Sequence, residues 1–387
     1  MKSSELRLAV VTQAPFPQGN VSTMRYSSYL KPLADLGVYS YVLIYCPTRM
    51  AAHIKDRSGI FEGINYQYAT DITWKKYNIL NKIWYLTKGL INSVSYLNQN
   101  TINTVILYGD NPFVVNFVFW AYTRITGKKY LGDRSELPSI QERKSKFKML
   151  IYGLKQRMFD GMIVMTKQLM TFYCQYSKRK DFLFFLPMTI DPTRFDGLKR
   201  TSQKKPYIAV VFGTHNRDGL METLQSYELY CIKGGNYDIH LIGDYERMPN
   251  KKELDKQLLS SQYQDRIHVL GKQSNERVPE ILYNASALLT TPNNYVSGGF
   301  PTKLGEYMLS GVPIVATKAG ELLDYIEPDV DMLICEPGDF DGISNSLLRV
   351  ERDVALAEFL SENARNKAKT VFCADSYVNG LLSFITK

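Results

Sequence analysis

The chain has 387 residues, 45% hydrophobic and 22% charged, a balance that excludes intrinsic disorder and a length that suits two α/β cores better than one. The net charge of +9 at pH 7 fits a nucleotide, a phospholipid surface or a nucleic acid as partner, or simply a basic surface, and charge alone does not choose among them. Five scattered cysteines with no CxxC pair, and four histidines without HxxxH or HxH spacing, point to reduced thiols in a cytoplasmic protein and away from a transition-metal site.

The opening MKSSELRLAVVTQAPF holds a strand-like run and no small-residue cleavage site, so no signal peptide is expected. LRLAVVTQ reads as a β-branched strand and APFPQGN as a Pro/Gly loop. A helix from about Ser22 to Leu36 then sets Tyr26, Leu30 and Leu33 on one face and stops at Gly37. SYVLIY is the next strand. WKKYNILNKIWYLTKGL (74–90) mixes Trp74 and Trp84 with lysines. TVILYGDN and GKKYLGD read as strands opening into loops. PFVVNFVFWAY (112–122), interrupted by Asn116, reads as a buried helix or strand–helix edge, and no apolar run nears the roughly 20 residues that span a bilayer. ERKSKFKMLIYGLKQRMF (142–159) spaces Lys144, Lys146, Lys148, Lys155 and Arg157 around Phe147, Leu150, Ile151 and Leu154. The two basic stretches are either core-facing helices with solvated lysine edges or cationic amphipathic helices that touch an anionic bilayer. GMIVMT is a buried strand, and DFLFFLPMTI closes this half.

Between Asp191 and Pro206 the polar, basic DPTRFDGLKRTSQKKP reads as a linker. The alternation then restarts with YIAVVFG, DIHLIGD, RIHVLGK, ALLTTP and VPIVAT as strands separated by helical patterns, the cadence of a second doubly wound domain. The expected fold is α/β, with two Rossmann-like doubly wound domains facing a central cleft. Their expected bounds are 1–190, a linker 191–206, 207–370, and a closing helix over 371–387 that returns to the first domain. Ligands are expected at the carboxyl ends of the strands. No internal repeat and no nucleic-acid-binding motif accompanies the charge.

The most informative stretch is SGGFPTKLGEYM, 297–308. Gly298 and Gly299 strip side chains from a loop after a buried strand, and Pro301 fits the first helical turn. The free N–H groups of that turn and the helix dipole make an anion site. Thr302 and Glu306 fall on one helix face, with the Glu306 carboxylate one turn deeper, where it can accept from a vicinal diol. Phosphate plus ribose describes a nucleotide; a plain βα connection with a solvated or capping acid is the alternative that spacing alone leaves standing.

GGFPTKLGEYMLSGVPIVATKAGE and the following IEPDVDMLICEPGDFDGISNSL resemble the donor segment of retaining glycosyltransferases of family 4, the group 1 transferases of surface-polysaccharide type with the GT-B fold. PFPQG, YLKPLADLG, DGMIVMTKQLMTFY and PMTIDPTRF resemble other parts of that family, so the likeness runs through nearly the whole chain and is strongest from Pro292 to Asp339. By the family pattern Glu306 binds the ribose hydroxyls, and the backbone of Gly299, Phe300 and Pro301 faces the sugar and diphosphate. The chain departs from the pattern at Gly298, where the family carries a first Glu. The resemblance places Gly213 and Arg217 of VVFGTHNRDG at the diphosphate, with an exposed turn residue as the alternative for Arg217. Lys303 reaches phosphate or lies in solvent. Leu270 and Lys272 neighbour the base, or merely pack a strand end, and Gly19 gives the diphosphate a close backbone approach. Asp133, with Glu136 and Asp110, faces acceptor hydroxyls, or these are surface loop acids. DVD (329–331) is read as a turn and not as a metal-binding motif.

The resemblance implies a retaining, metal-independent hexosyltransferase in cell-surface polysaccharide synthesis. It would use Arg217, Glu306 and Asp133 in catalysis, no cofactor, and a UDP- or GDP-sugar as donor. A saccharide or lipid-linked acceptor is expected, at the inner face of the cytoplasmic membrane or in the cytoplasm. A GT-B nucleotide-sugar epimerase and a catalytically silent sugar-nucleotide-binding partner of a transferase remain as the other readings.

Overall fold

The computed structural model describes residues 5–19, 21–48, 51–74, 79–138, 146–201, 205–213, 218–293, 300 and 303–387. These form two compact units, one from residues 5–190 and 374–387, the other from the described residues between 191 and 373.

The first unit runs β1 (Arg7–Thr12), α1 (Val21–Asp35), β2 (Tyr39–Ile44), β3 (Ser58–Phe61), β4 (Ile64–Tyr68), α2 (Ile79–Gln99), β5 (Thr104–Tyr108), α3 (Phe113–Thr126), β6 (Lys129–Arg134), α4 (Lys146–Gln156), β7 (Gly161–Val164), α5 (Lys167–Cys174) and β8 (Leu183–Phe185). Its sheet has the order β3-β4-β2-β1-β5-β6-β7-β8 and is parallel except for the β3/β4 pair. β1, β2, β5 and β7 are buried almost throughout, as strands covered by helices on both faces must be. α1 stops where the sequence places its stop, at Gly37 with φ 83°. Leu8, Val10, Tyr26, Leu30 and Leu33 build the core on the α1 side of the sheet.

The second unit runs β9 (Tyr207–Val211), α6 (Leu220–Ile232), β10 (Asp238–Ile242), α7 (Lys251–Ser260), β11 (Ile267–Gly271), α8 (Arg277–Tyr283), β12 (Ala287–Thr290), α9 (Lys303–Ser310), β13 (Ile314–Thr317), β14 (Leu333–Cys335), α10 (Phe340–Arg352) and α11 (Val354–Val371). Its six strands are all parallel, in the order β11-β10-β9-β12-β13-β14, the doubly wound Rossmann order. Asp191–Phe195, read from sequence as the start of a linker, folds into this unit as a one-turn 3-10 helix capped by the Asp191 carboxylate.

The last helix, α12 (Asp375–Thr386), belongs to the first unit. Leu381, Phe384 and Ile385 join the α1 core, and Lys129 Nζ donates to the Phe384 and Ile385 carbonyls at 3.1 and 2.8 Å.

The structure corrects the reading of PFVVNFVFWAY as buried. It is α3, and only one side is covered: Val115, Asn116 and Phe119 are inside, while Phe113, Val114 and Phe117 are exposed.

Candidate functional site

In the second sheet the strand order reverses between β9 and β12, so the chain leaves these neighbours in opposite directions and opens a crevice at their carboxyl ends. The segment after β9 leads to α6, and the segment after β12 leads to α9. Gly219 caps α6 in the left-handed region, φ 67°, and a Cβ there would lie 1.7 Å from the Thr291 carbonyl oxygen. Glycine is therefore required by both backbone angle and space. Thr291 donates to the Gly219 carbonyl at 2.8 Å and shares a hydrogen bond with Thr223 at 2.6 Å. The start of α6 is thus tied to the end of β12. α9 is tied to the same place, because Val211 N donates to the Tyr307 hydroxyl at 2.6 Å.

Asp218, which sequence reasoning passed over, organises the rim. One carboxylate oxygen accepts from Gly213 N at 2.7 Å and the other from Lys303 Nζ at 2.8 Å. Lys303, the first residue of α9, is therefore held as an ion pair at the switch point. An aspartate directly before a capping glycine was the available signal.

Glu306 is buried on α9 and pairs with Nε of Arg194, from the 3-10 turn over Pro192–Phe195. Arg194 Nη2 also donates to the Asn275 carbonyl at 2.9 Å. Burial pushes the Glu306 carboxyl above its ordinary value, and Arg194 opposes that shift. Glu306 is therefore no solvated helix-surface acid; it is a buried carboxylate with a cation of its own unit beside it. Phe300 turns its ring into the core against Tyr325 and Phe372, with centroids 5.3 and 5.6 Å away. Leu270 and Lys272 lie at the end of β11, two strands from the switch point; the Leu270 carbonyl accepts from Gln273 at 2.6 Å and Lys272 is exposed. Arg217, Gly298, Gly299, Pro301 and Thr302 lie outside the described residues.

In the first unit the order reverses between β1 and β5. Gly19 follows β1, and a Cβ on it would meet Thr23 Oγ1 at 2.0 Å and the Pro15 carbonyl at 2.5 Å, so its own loop already demands glycine. Asp110 and Glu136 are exposed after β5 and β6, and Asp110 pairs with Lys155 of α4. Asp133 requires correction. Expected to face an acceptor hydroxyl, it is fully buried on β6, where Oδ1 accepts from Arg25 Nε and Nη2 at 3.1 Å and Oδ2 accepts from Tyr29 at 3.1 Å. Arg25 in turn donates to the Pro187 and Leu186 carbonyls at 3.1 and 3.2 Å. Asp133 thus locks α1 to β6 and to the chain leaving β8, a structural duty that engages both of its carboxylate oxygens.

Among the described residues no His/Cys/Asp/Glu group has metal-site geometry. In DVD, Asp331 accepts from Glu327 N at 2.7 Å and pairs with Lys367, which makes the segment a turn stapled to α11.

The family model described as "Glycosyl transferases group 1" matches residues 196–367, the switch point and Glu306 included. The second unit resembles a group 1 glycosyl transferase domain. Over 166 residues, 43% of the chain, the protein is 25% identical to the α-1,3/1,6-mannosyltransferase ALG2 of Homo sapiens, and the match covers 38% of that relative. It is 26% identical over 154 residues to the capsular polysaccharide biosynthesis glycosyltransferase CapM of Staphylococcus aureus, covering 40% of the chain and 39% of CapM. The chain therefore matches well under half the length of these curated relatives. Among solved structures, Anabaena HepE in complex with UDP-glucose superposes with a TM-score of 0.72 over 99% of this chain and all of that one, at 15% identity. That likeness shows the fold of this chain to be GT-B.

Proposed function

We propose that the protein is a retaining glycosyltransferase that moves a sugar from a nucleotide-diphosphate donor to a saccharide or lipid-linked acceptor in cell-surface polysaccharide synthesis. The observation that carries the reading is the position of Glu306, one turn inside the helix that starts at the switch point of the group 1 domain. A carboxylate there accepts from both ribose hydroxyls, while the first turn of α9 and Lys303 face the diphosphate, the group to which the family likeness also assigns Arg217. As the sugar leaves, charge accumulates on that diphosphate, and preorganised donors stabilise it without reorganisation. HepE in complex with UDP-glucose and the capsular polysaccharide transferase CapM agree with a nucleotide-sugar donor and a polysaccharide product. Asp218 acts by positioning: it holds Lys303 and Gly213 at the rim until the donor phosphates arrive. Asp110 and Glu136 are the acceptor-side candidates of the first unit.

The test is a panel of UDP- and GDP-sugars, first by thermal shift and then by transfer to saccharide and lipid-linked acceptors. A ligand at 100 times its Kd adds about 2.7 kcal/mol. Absence of any shift across the panel overturns the reading. Gly298, standing where the family has its first Glu, favours one other outcome, binding without turnover, which would make the chain a silent partner of a transferase. Donor turnover that needs no acceptor would instead make it an epimerase.

A further inference from the structure

Three helices of the first unit, α2, α3 and α4, lie side by side on one face of its sheet, α2 beside α3 and α3 beside α4. None contains a single aspartate or glutamate, and together they carry Lys82, Lys88, Arg124, Lys146, Lys148 and Lys155. All three leave large apolar side chains uncovered near their N-terminal ends. Leu80 is 78% exposed and Trp84 64% on α2, Phe113 44% and Phe117 46% on α3, and Phe147 71% and Leu150 62% on α4. In a parallel α/β sheet the helix N-termini stand at the carboxyl ends of the strands, so these side chains gather at the ligand-binding edge of the unit. A cleft of about 260 Å³ lined by Leu150, Leu154, Arg157 and Tyr176 opens along the outer side of α4, whose inner side is held to α5 by the Tyr152–Tyr173 hydroxyl pair.

We infer that this edge of the first unit docks on an anionic lipid bilayer. A soluble partner protein explains the apolar area, but it gives no reason for three consecutive helices to be free of acids. A bilayer surface explains both, since aromatic and aliphatic side chains enter the headgroup region while lysines meet anionic lipid. Some of the charge is answered within the protein, Lys155 by Asp110, Lys88 by Asp71 and Arg124 by Asp160, whereas Lys82, Lys146 and Lys148 are exposed at the apolar patch. The inference deepens the proposed function by assigning the acceptor to lipid, and the docking edge is the one where Asp110 and Glu136 emerge.

The experiment is flotation of the full chain with vesicles of neutral phosphatidylcholine alone or mixed with phosphatidylglycerol, without donor or acceptor, so that its result is independent of turnover. Binding is expected to the mixed vesicles and to fall at high salt. Lys146→Gln with Lys148→Gln should lower the partition coefficient roughly ten- to thirtyfold. Trp84→Ser with Phe147→Ser should lower it by a similar factor, and circular dichroism confirms folding of each variant. Equal binding to neutral vesicles, or binding that ignores both pairs, overturns the inference. So does concentration-dependent dimerisation abolished by Trp84→Ser with Phe147→Ser in a chain that ignores vesicles, because the patch would then serve a second copy.

Discussion

The Glu306 carboxylate is buried beside a guanidinium that also holds the Asn275 carbonyl, so neutralising it has two effects at once. In Glu306→Gln the loss of a charge-assisted grip on the ribose should lower kcat/KM for the donor about ten- to a hundredfold. The same change strips Arg194 of its counter-charge and should destabilise the domain by roughly 1.5–3 kcal/mol, read as a lower urea midpoint. Adding Arg194→Met should return part of that stability and none of the activity. A single mutant as stable as the parent would mean that the ion pair contributes nothing, and a double mutant with restored turnover would remove Glu306 from the donor site. The helical spacing of GGFPTKLGEYM made the position of Glu306 on a helix legible, but not its partner, because Arg194 stands in a stretch that reads as a linker. Arg25 and Asp133 are hidden for a similar reason: they lie 108 residues apart, and only strand order brings them together. An acid near a strand end looks like a surface ligand until the helix that covers it is known.

Strands and helices with strong periodicity, α1 and β9 to β13 above all, were legible because apolar spacing and the stop residue agreed. The β3/β4 hairpin was not read, although Glu62 and Gly63, both at positive φ, form the two-residue turn that joins antiparallel strands, and a glycine in second place was its signal. α3 was read with the wrong burial because apolarity reports what a side chain avoids and not which neighbour covers it. At the switch point, Gly219→Ala forces a Cβ against the Thr291 carbonyl at a positive φ and should cost about 1–3 kcal/mol, with weaker donor binding. Gly271→Ala, also at positive φ but with open space around the added carbon, should cost less, and equal losses in a urea titration would refute the crowding argument. β9, β10 and β11 bring Tyr207, His240 and His268 together, with His240 stacked 4.0 Å from Tyr207. Burial, aided by His268, pushes His240 from 6.5 down to about 4. Below pH 6.5 the unfolded chain takes up a proton that the folded imidazole refuses, so this contribution is complete above 6.5 and lost as pH falls towards 4. Melting temperature should drop across that window, and a His240→Gln variant should show a flatter profile.

At the scale of the whole molecule, the proposed chemistry answers phosphate charge with protein donors, Lys303 and the first turn of α9 foremost. Transfer should accordingly proceed in EDTA at close to its normal rate; loss on chelation with recovery on added Mg²⁺ would require a metal that the reading does not include. No described helix is long and apolar enough to cross a membrane, so any hold on a bilayer must come from side chains at a surface. The return of α12 to the first unit has one more consequence. Residues 5–190 lack the helix that carries Leu381, Phe384 and Ile385 until the chain has passed through the entire second unit. A chain ending before α12 can therefore complete its second unit, while the unit begun earlier is left with part of its apolar core open. A chain truncated after residue 373 should resist protease in its second unit and be cut in its first; protection of both would mean that α12 is dispensable for closure.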